Sequence, residues 1–382
     1  MGVYLVKLIK SLMKINLLVV ALFVSAVGCR KEIDKISFTT GTSPLNSVDN
    51  ISFTKDNGLI ISGLSGDKYT LIKTDAKLDI QWIKNDFDWG SIVRGSGWGA
   101  YSYGIKIVKV FQREDGDYVC IGAISEGGDV VFSSALIIII NQNGKQVQEY
   151  KFDNIRISDA LKTDNGYVLF GTELIQLDNN FNKLWSKTIY NNASYFPAAI
   201  AATTDGGFAI TGSDNYEQVY LQKLDENGNT LFTKTYKHND FPFEEGGFDI
   251  TQLVDAGFLI VGRTGEAIDQ SNIINCQMIR TNSQGDTLWT KRFGYPTDSW
   301  IDRIVSKSQN EVVLQGKISF PTGSDQNTTL YKINSAGEIL NSKITDKFLL
   351  IVYSPANGYI KAEGNGSGGI KLSVIEADNL FN

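Results

Sequence analysis

From residue 35 onward the chain is a succession of short apolar or alternating runs, punctuated by Gly, Asp and Asn. That pattern predicts β-strands joined by tight turns. A longer period runs through it. In TDGGFAITGS at 204–213, Asp205 precedes Gly212 by seven residues. The spacing returns as Asp56 and Gly63, Asp115 and Gly122, Asp164 and Gly171, Asp255 and Gly262, Gln309 and Gly316, and Asn357 and Gly364. Apolar runs such as GLIISG, DYVCIG, GYVLFG and GFLIVG fill the interval in each copy. A second apolar run follows (YTLIKTD, ALIIIIN, VYLQKLD, CQMIRTN), then a polar turn and a closing strand. Trp82, Trp185, Phe232 and Trp289 mark that closing strand, with Val147 and Leu340 nearby in two other copies. One more strand precedes each anchor, as in GIKIVKVF and DITQLV.

Seven copies of four antiparallel strands, at about 50 residues each, have the period of a propeller blade. The expected fold is all-β, a seven-bladed β-propeller forming a single domain over 36–382. A β-sandwich would not need one motif seven times, and no helical pattern separates the strands as an α/β barrel requires. The seventh copy lacks a fourth strand, and KISFTT at 35–40 is a strand without a repeat of its own. The N-terminal strand 35–40 is therefore expected to close the ring and cover its edge. The recurring Asp and Gly read first as turn chemistry. Calcium ligands would be more numerous and more tightly spaced, so no metal is expected.

These repeats, best seen in TDGGFAITGS followed by YLQKLDENGNTLFTKTY, resemble those of bacterial secreted seven-bladed β-propeller lipoproteins with DGGF/LxKLDxxGxxLWxKTY-type repeats. The resemblance covers residues 36–378. It implies architecture and carries no catalytic residues.

Residues 1–28 read as a lipoprotein signal peptide: Lys7, Lys10 and Lys14 precede an apolar run over 17–24. The uncharged stretch 15–28 is shorter than the roughly 20 residues of a membrane span. Ala26 and Gly28 ahead of Cys29 resemble a lipobox, which implies a cysteine diacylated on sulfur and acylated on nitrogen, with palmitate. Plain secretion is the alternative. Met13 is a second possible start. Residues 29–35 form the lipidated cysteine and a short tether whose charged stretch (RKEID) resembles an export signal of surface lipoproteins, or is simply a solvated linker. The expected location is the bacterial outer membrane, lipid-anchored, at the cell surface or, alternatively, on the periplasmic face.

Charge sharpens this picture. Of 36 basic and 42 acidic residues, the signal removes three lysines, so the mature charge goes from −6 to −9. Without a basic block, nucleic acid is excluded as a partner. The lone His238 excludes multi-histidine metal centres. Cys120 and Cys276 fall in apolar strands of distant repeats and are expected to be buried free thiols. No cofactor is expected, and the domain is expected to be monomeric.

Long connections fall between the fourth and first strands of successive blades and between the second and third strands, so they share one face. They include 85–104, 190–197, 237–247 and 293–299, and 124–134, 264–274 and 318–327. Function tends to sit on such loops. Trp89, Trp98, Tyr101, Tyr103, Phe241, Tyr295 and Trp300 are the candidate ligand-binding residues, since aromatic platforms suit sugars or protein hot spots. Sealing of the loops against the blade tops is the competing role for each ring. The leading expectation is a non-catalytic binding module for a protein or glycan. The rivals are a carboxylate-dependent glycan-degrading enzyme using acids such as Asp240, Glu244, Asp298 or Asp302, and a scaffold in an outer-membrane assembly complex.

Overall fold

The computed structural model describes residues 36–37, 45, 47–66, 68–87, 104–126, 132–189, 195–214, 217–237, 245–268, 271–319, 326–345, 349–354, 358–364, 370–375 and 379–381. The signal peptide, Cys29, Trp89, Trp98, Tyr101, Tyr103, His238, Asp240, Phe241 and Glu244 lie outside them. Residues 36–382 form one unit, in which every sheet has four strands. There are seven sheets, and in six of them the strands follow chain order from the first (strand a) to the fourth (strand d). The seventh is completed from the other end of the chain: Ile36–Ser37 pairs antiparallel with Ile370–Ile375, with Ile36 opposite Leu372. The ring is thus a seven-bladed β-propeller closed by the N-terminal strand.

The core explains the composition of the strands. Among the described residues, seven apolar clusters each join two successive blades, and one of them unites Leu59, Ile61 and Ile72 of blade 1 with Leu350, Ile360 and Leu372 of blade 7. Strand b is buried on both faces. In blade 1, Leu59 and Ile61 face blade 7 while Ile60 faces blade 2. Burial on both faces selects continuous apolar runs over strict alternation. Strand d has one neighbour and alternates, so Val147 and Leu340 are about half exposed (52% and 51%). Cys120 and Cys276 are buried free thiols.

The recurring Asp and Gly do separate work. The Asp sits in the a–b turn, where its carboxylate accepts the N–H of Gly58, Gly207 or Gly257 two residues on. In blades 1, 4 and 5 a basic side chain from strand c reaches the same Asp: Lys73 to Asp56 at 2.7 Å, Lys223 to Asp205 at 2.9 Å, and Arg280 to Asp255. The Lys of the LxKLD motif is therefore a buried strut. Blade 2 has Ile139 at this position, and there Arg113 takes over Asp115 at 3.2 Å.

The Gly seven residues on lies inside strand b, where the sequence had read turn chemistry. In six blades it faces a bulge in strand a: the register slips between Val48 and Asn50, Ile107 and Lys109, Ile157 and Asp159, Pro197 and Ala199, Gly247 and Asp249, and Ile301 and Arg303. A Cβ on Gly171 would stand 1.8 Å from the Arg156 carbonyl oxygen, so only glycine admits the bulged strand.

The c–d turns lock neighbouring blades. Six begin with Asp or Asn whose side-chain oxygen accepts two backbone N–H groups, as Asp225 does from Asn227 and Asn229. Each ends on a left-handed residue, four of them glycines that lie under an aromatic ring of the preceding blade: Gly144 under Trp82, Gly228 under Trp185, Gly285 under Phe232 and Gly337 under Trp289. Trp82 Nε1 also donates to the Gln142 carbonyl at 2.8 Å.

Candidate functional site

Strand a of every blade lines the centre of the ring: Ser47–Phe53, Gly104–Gln112, Ile157–Thr163, Tyr195–Ala202, Gly246–Gln252, Ser299–Lys307 and Leu349–Ser354. Together they enclose a channel of about 790 Å³. A bulge turns two consecutive side chains to one side of a strand, and this sets the lining. Six blades present the pairs Asp49 and Asn50, Val108 and Lys109, Ser158 and Asp159, Ala198 and Ala199, Phe248 and Asp249, and Asp302 and Arg303. Blade 7 pairs regularly, without a bulge, and contributes Leu350 to Tyr353.

Strand a starts at the face of the long connections and ends at the short turns, so position along the strand is depth in the channel. The early positions are polar: Asp49, Lys106 and Asp302, with Lys317 from strand b of blade 6. The middle carries Lys109, Asp159, Asp249 and Arg303. Phe53, Phe111, Val305 and Tyr353 make the far end apolar. The channel is therefore a polar cup opening on the loop face with an apolar floor.

Most of its charges are committed. Asp159 accepts the N–H of Ala160 at 2.8 Å and of Ile200 in the next blade at 3.3 Å, and pairs with Lys109 at 3.1 Å. Asp249 repeats the arrangement, accepting the N–H of Ile250 and of Ile304 in blade 6, both at 2.8 Å. These two carboxylates strap innermost strands together. Burial pushes the Asp249 carboxyl up to about 6; the Ile304 N–H and the Lys109 ammonium oppose that rise and Asp159 adds to it. Asp49 accepts the Tyr69 hydroxyl at 3.0 Å. Asp302 differs: one oxygen is 3.7 Å from Lys317, and the other is buried with no partner among the described residues. Burial raises its carboxyl against the pull of Lys317 and Arg303.

The sequence candidates divide. Trp300 is the second residue of strand a of blade 6, half-buried near its loop-side end, two residues before Asp302. Tyr295 is half-buried and packs on the apolar cluster between blades 5 and 6, where Tyr331 is its hydrogen-bond partner. It seals a blade top. Asp298 accepts the Ile274 N–H at 3.0 Å and anchors a connection. Glu245 is fully buried and accepts the Thr264 hydroxyl; burial raises its carboxyl, while Thr264, Arg292 and Gln277 work the other way. The span 264–274, expected as a loop insertion, is largely a lengthened hairpin, with strands Phe258–Ile268 and Ser271–Thr281 paired to the tip. Sequence reasoning missed the channel pairs. Their signal was the strand-b glycine, whose spacing marks each bulge.

No family model matches this chain, and no curated protein is similar to it. Among solved structures, an ancestral GH74 enzyme is similar with a TM-score of 0.52 at 10% identity, over 88% of this chain and 48% of that one. The chain thus spans about half the length of that enzyme. A protein of unknown function from Bacteroides caccae is similar at 13% identity over 65% of this chain and 82% of its own, with a TM-score of 0.40. Drosophila Plexin A, solved with Semaphorin 1b, is similar at 8% identity over 90% and 87%, with a TM-score of 0.46. At these identities the likeness is one of fold.

Proposed function

We propose that the chain is a lipid-anchored bacterial outer-membrane lipoprotein whose propeller binds a glycan or a partner protein at its loop face without chemistry. The observation that carries the non-catalytic part is the commitment of Asp159 and Asp249. Each spends both carboxylate oxygens on backbone N–H groups of its own and the next blade. A carboxylate-dependent glycosidase needs one acid free to give a proton and a second free to attack or to activate water. Two of the four channel carboxylates are instead structural straps. The cup at the channel mouth opens on the face where the sequence places the long connections, which supports capture there.

The anchor fits this orientation. Ile36 opens the closing strand at its short-turn end, because that strand runs antiparallel to Ile370–Ile375. Six residues separate Cys29 from Ile36, a reach of about 25 Å at most. A lipid on Cys29 would hold the short-turn face near the membrane and leave the loop face outward. Metabolic labelling with palmitate tests the anchor: label on the wild-type chain and none on Cys29→Ser is expected, and label on both sinks it. Binding of the full-length protein to a glycan array, compared with Trp98→Ala, tests the face. Loss of signal in the variant is expected, and release of new reducing ends from any bound glycan would overturn the non-catalytic reading.

A further inference from the structure

Two channel cations stand apart from the committed charges. Arg303, half-buried at mid-depth, makes no ion pair and no side-chain hydrogen bond among the described residues, and neither does Lys106 nearer the mouth. A guanidinium taken partly out of water with all its donors open is an unusual expense for a fold to retain. Its planar fork matches a carboxylate or a phosphate held through two parallel bonds, and the neighbouring Asp302 favours the less charged of the two. The side chain beside it supplies the complement. Asp302, brought to the same side by the bulge, is 24% exposed, and since one of its oxygens is sealed from the lumen, the oxygen 3.7 Å from Lys317 is the acceptor left for a hydroxyl.

We infer that the cup at the channel mouth is a binding site for a hydroxylated carboxylate, an acidic sugar of the uronic acid class. Arg303 takes the carboxylate, the Asp302 oxygen beside Lys317 accepts a ring hydroxyl, and Lys106 adds positive charge at the entrance. The volume suits it: about 790 Å³ lies within the roughly 300–1,000 Å³ of small-ligand sites. Blade 4 makes the room, since its pair is Ala198 and Ala199 where other blades place longer side chains. Phe248 in blade 5 offers an apolar wall, with Arg263 stacked on its ring at 5.4 Å. Four acidic and four basic side chains line the channel, so the lumen is close to neutral and disfavours a polyanion. A monoanion rich in hydroxyls engages both Arg303 and Asp302, whereas phosphate would set a second negative charge against Asp302.

This inference rests on the reading of the loop face as a binding surface and narrows it to an acidic glycan. Titration calorimetry on the full-length protein in detergent tests it, with glucuronate, galacturonate, glucose and inorganic phosphate as probes. At least one uronate is expected to bind at least tenfold tighter than glucose and phosphate. Arg303→Gln should weaken that uronate at least tenfold, Arg303→Lys less, and Asp302→Asn a few-fold. Lys55→Gln, on an a–b turn of the opposite face, should change nothing. Thermal melting of each variant separates loss of binding from loss of fold. No uronate binding at about 10 mM, equal binding of glucose or phosphate, or a fully folded Arg303→Gln that binds like wild type would each overturn it. Array binding that Trp98→Ala abolishes, with no uronate binding, would sink this inference and leave the wider reading standing.

Discussion

Replacing Gly171 with Ala would put a methyl carbon 1.8 Å from the Arg156 carbonyl oxygen and 2.7 Å from the Ile157 Cα, both at the entry to the bulged strand of the same blade. Contacts closer than 3.0 Å essentially never occur, so strand a must withdraw by about 1.2 Å. The obstacle is backbone and cannot rotate away, so the cost belongs at the upper end of the ~1–3 kcal/mol range for overpacking. Gly316→Ala is milder, at 2.4 Å from the Trp300 carbonyl oxygen. A shift of about 0.6 Å should cost ~1–2 kcal/mol. Gly66→Ala is the control. It has a φ of 62° and no heavy atom within 4 Å, so it carries only the left-handed penalty of ~1–2 kcal/mol, partly offset by a stiffer unfolded chain. At about 2.1 cal/mol/K per residue, a domain of about 350 residues has an unfolding entropy near 0.7 kcal/mol/K. The expected falls in Tm are then ~4 °C for Gly171→Ala, ~2 °C for Gly316→Ala and ~1 °C for Gly66→Ala. Differential scanning calorimetry reads all three. A Gly66→Ala loss equal to that of Gly171→Ala would refute the claim that these glycines admit the bulges.

The buried struts predict an asymmetry. Lys223 is 6% exposed and Asp205 56% exposed, so Asp205→Asn leaves an ammonium buried without its counter-charge and should cost ~2 kcal/mol or more. Lys223→Met fills the same space and leaves a carboxylate that water can reach, so its cost should stay below ~1 kcal/mol, and urea unfolding with the reverse order would reject the strut. The acidic groups also predict the pH profile. Burial acts to raise Asp205, but the Thr203 hydroxyl, the Lys223 ammonium and the Gly207 N–H hold it down to about 2. It therefore contributes stability above the ordinary value of 3.8 that is lost as pH falls towards 2. Asp249 has the opposite sign: raised from 3.8 to about 6 by burial, it holds its proton longer in the fold, and stability falls as pH rises through that window. Maximum Tm is expected near pH 4–5 in scanning fluorimetry, and a steady rise to pH 8 would contradict the assignment.

The architecture was legible because its determinants are local. Apolar runs such as GYVLFG, Asx-led turns and the period of about 50 residues each lie within a single repeat, and KISFTT could be matched to the blade that lacked a strand. The channel was not legible, because its determinants meet only in space. The bulged residues Asp49, Val108, Ser158, Ala198, Phe248 and Asp302 share no chemistry, so no motif marks them. Only their glycine partners on strand b recur, and a recurring glycine in a turn-rich sequence reads as a turn. The Lys of KLD was visible in the repeat, but its partner Asp205 lies 18 residues back in another turn. Tyr295 looked like a loop aromatic because nothing adjacent in sequence shows that Tyr331 of the next blade would meet it.

Stability and the lining of the channel are thereby written at different positions. The Asx turns, the Asp and Lys struts and the Trp over Gly clasps all sit at the short-turn end, and each depends on residues that the repeat fixes. The bulge depends on one glycine and on backbone pairing, so it tolerates any pair of side chains that it turns into the lumen. Blade 4 carries Ala198 and Ala199 and blade 6 carries Asp302 and Arg303 on the same register slip, opposite Gly212 and Gly316. The strapping aspartates are the exception, since Asp159 and Asp249 serve both ends of this division. Exchanging the unstrapped pairs should therefore leave Tm nearly unchanged and, on the proposed reading of the cup, alter which ligand it binds. Exchanging Asp159 or Asp249 should cost stability as well, because each removes two backbone N–H partners that water in a narrow channel replaces poorly.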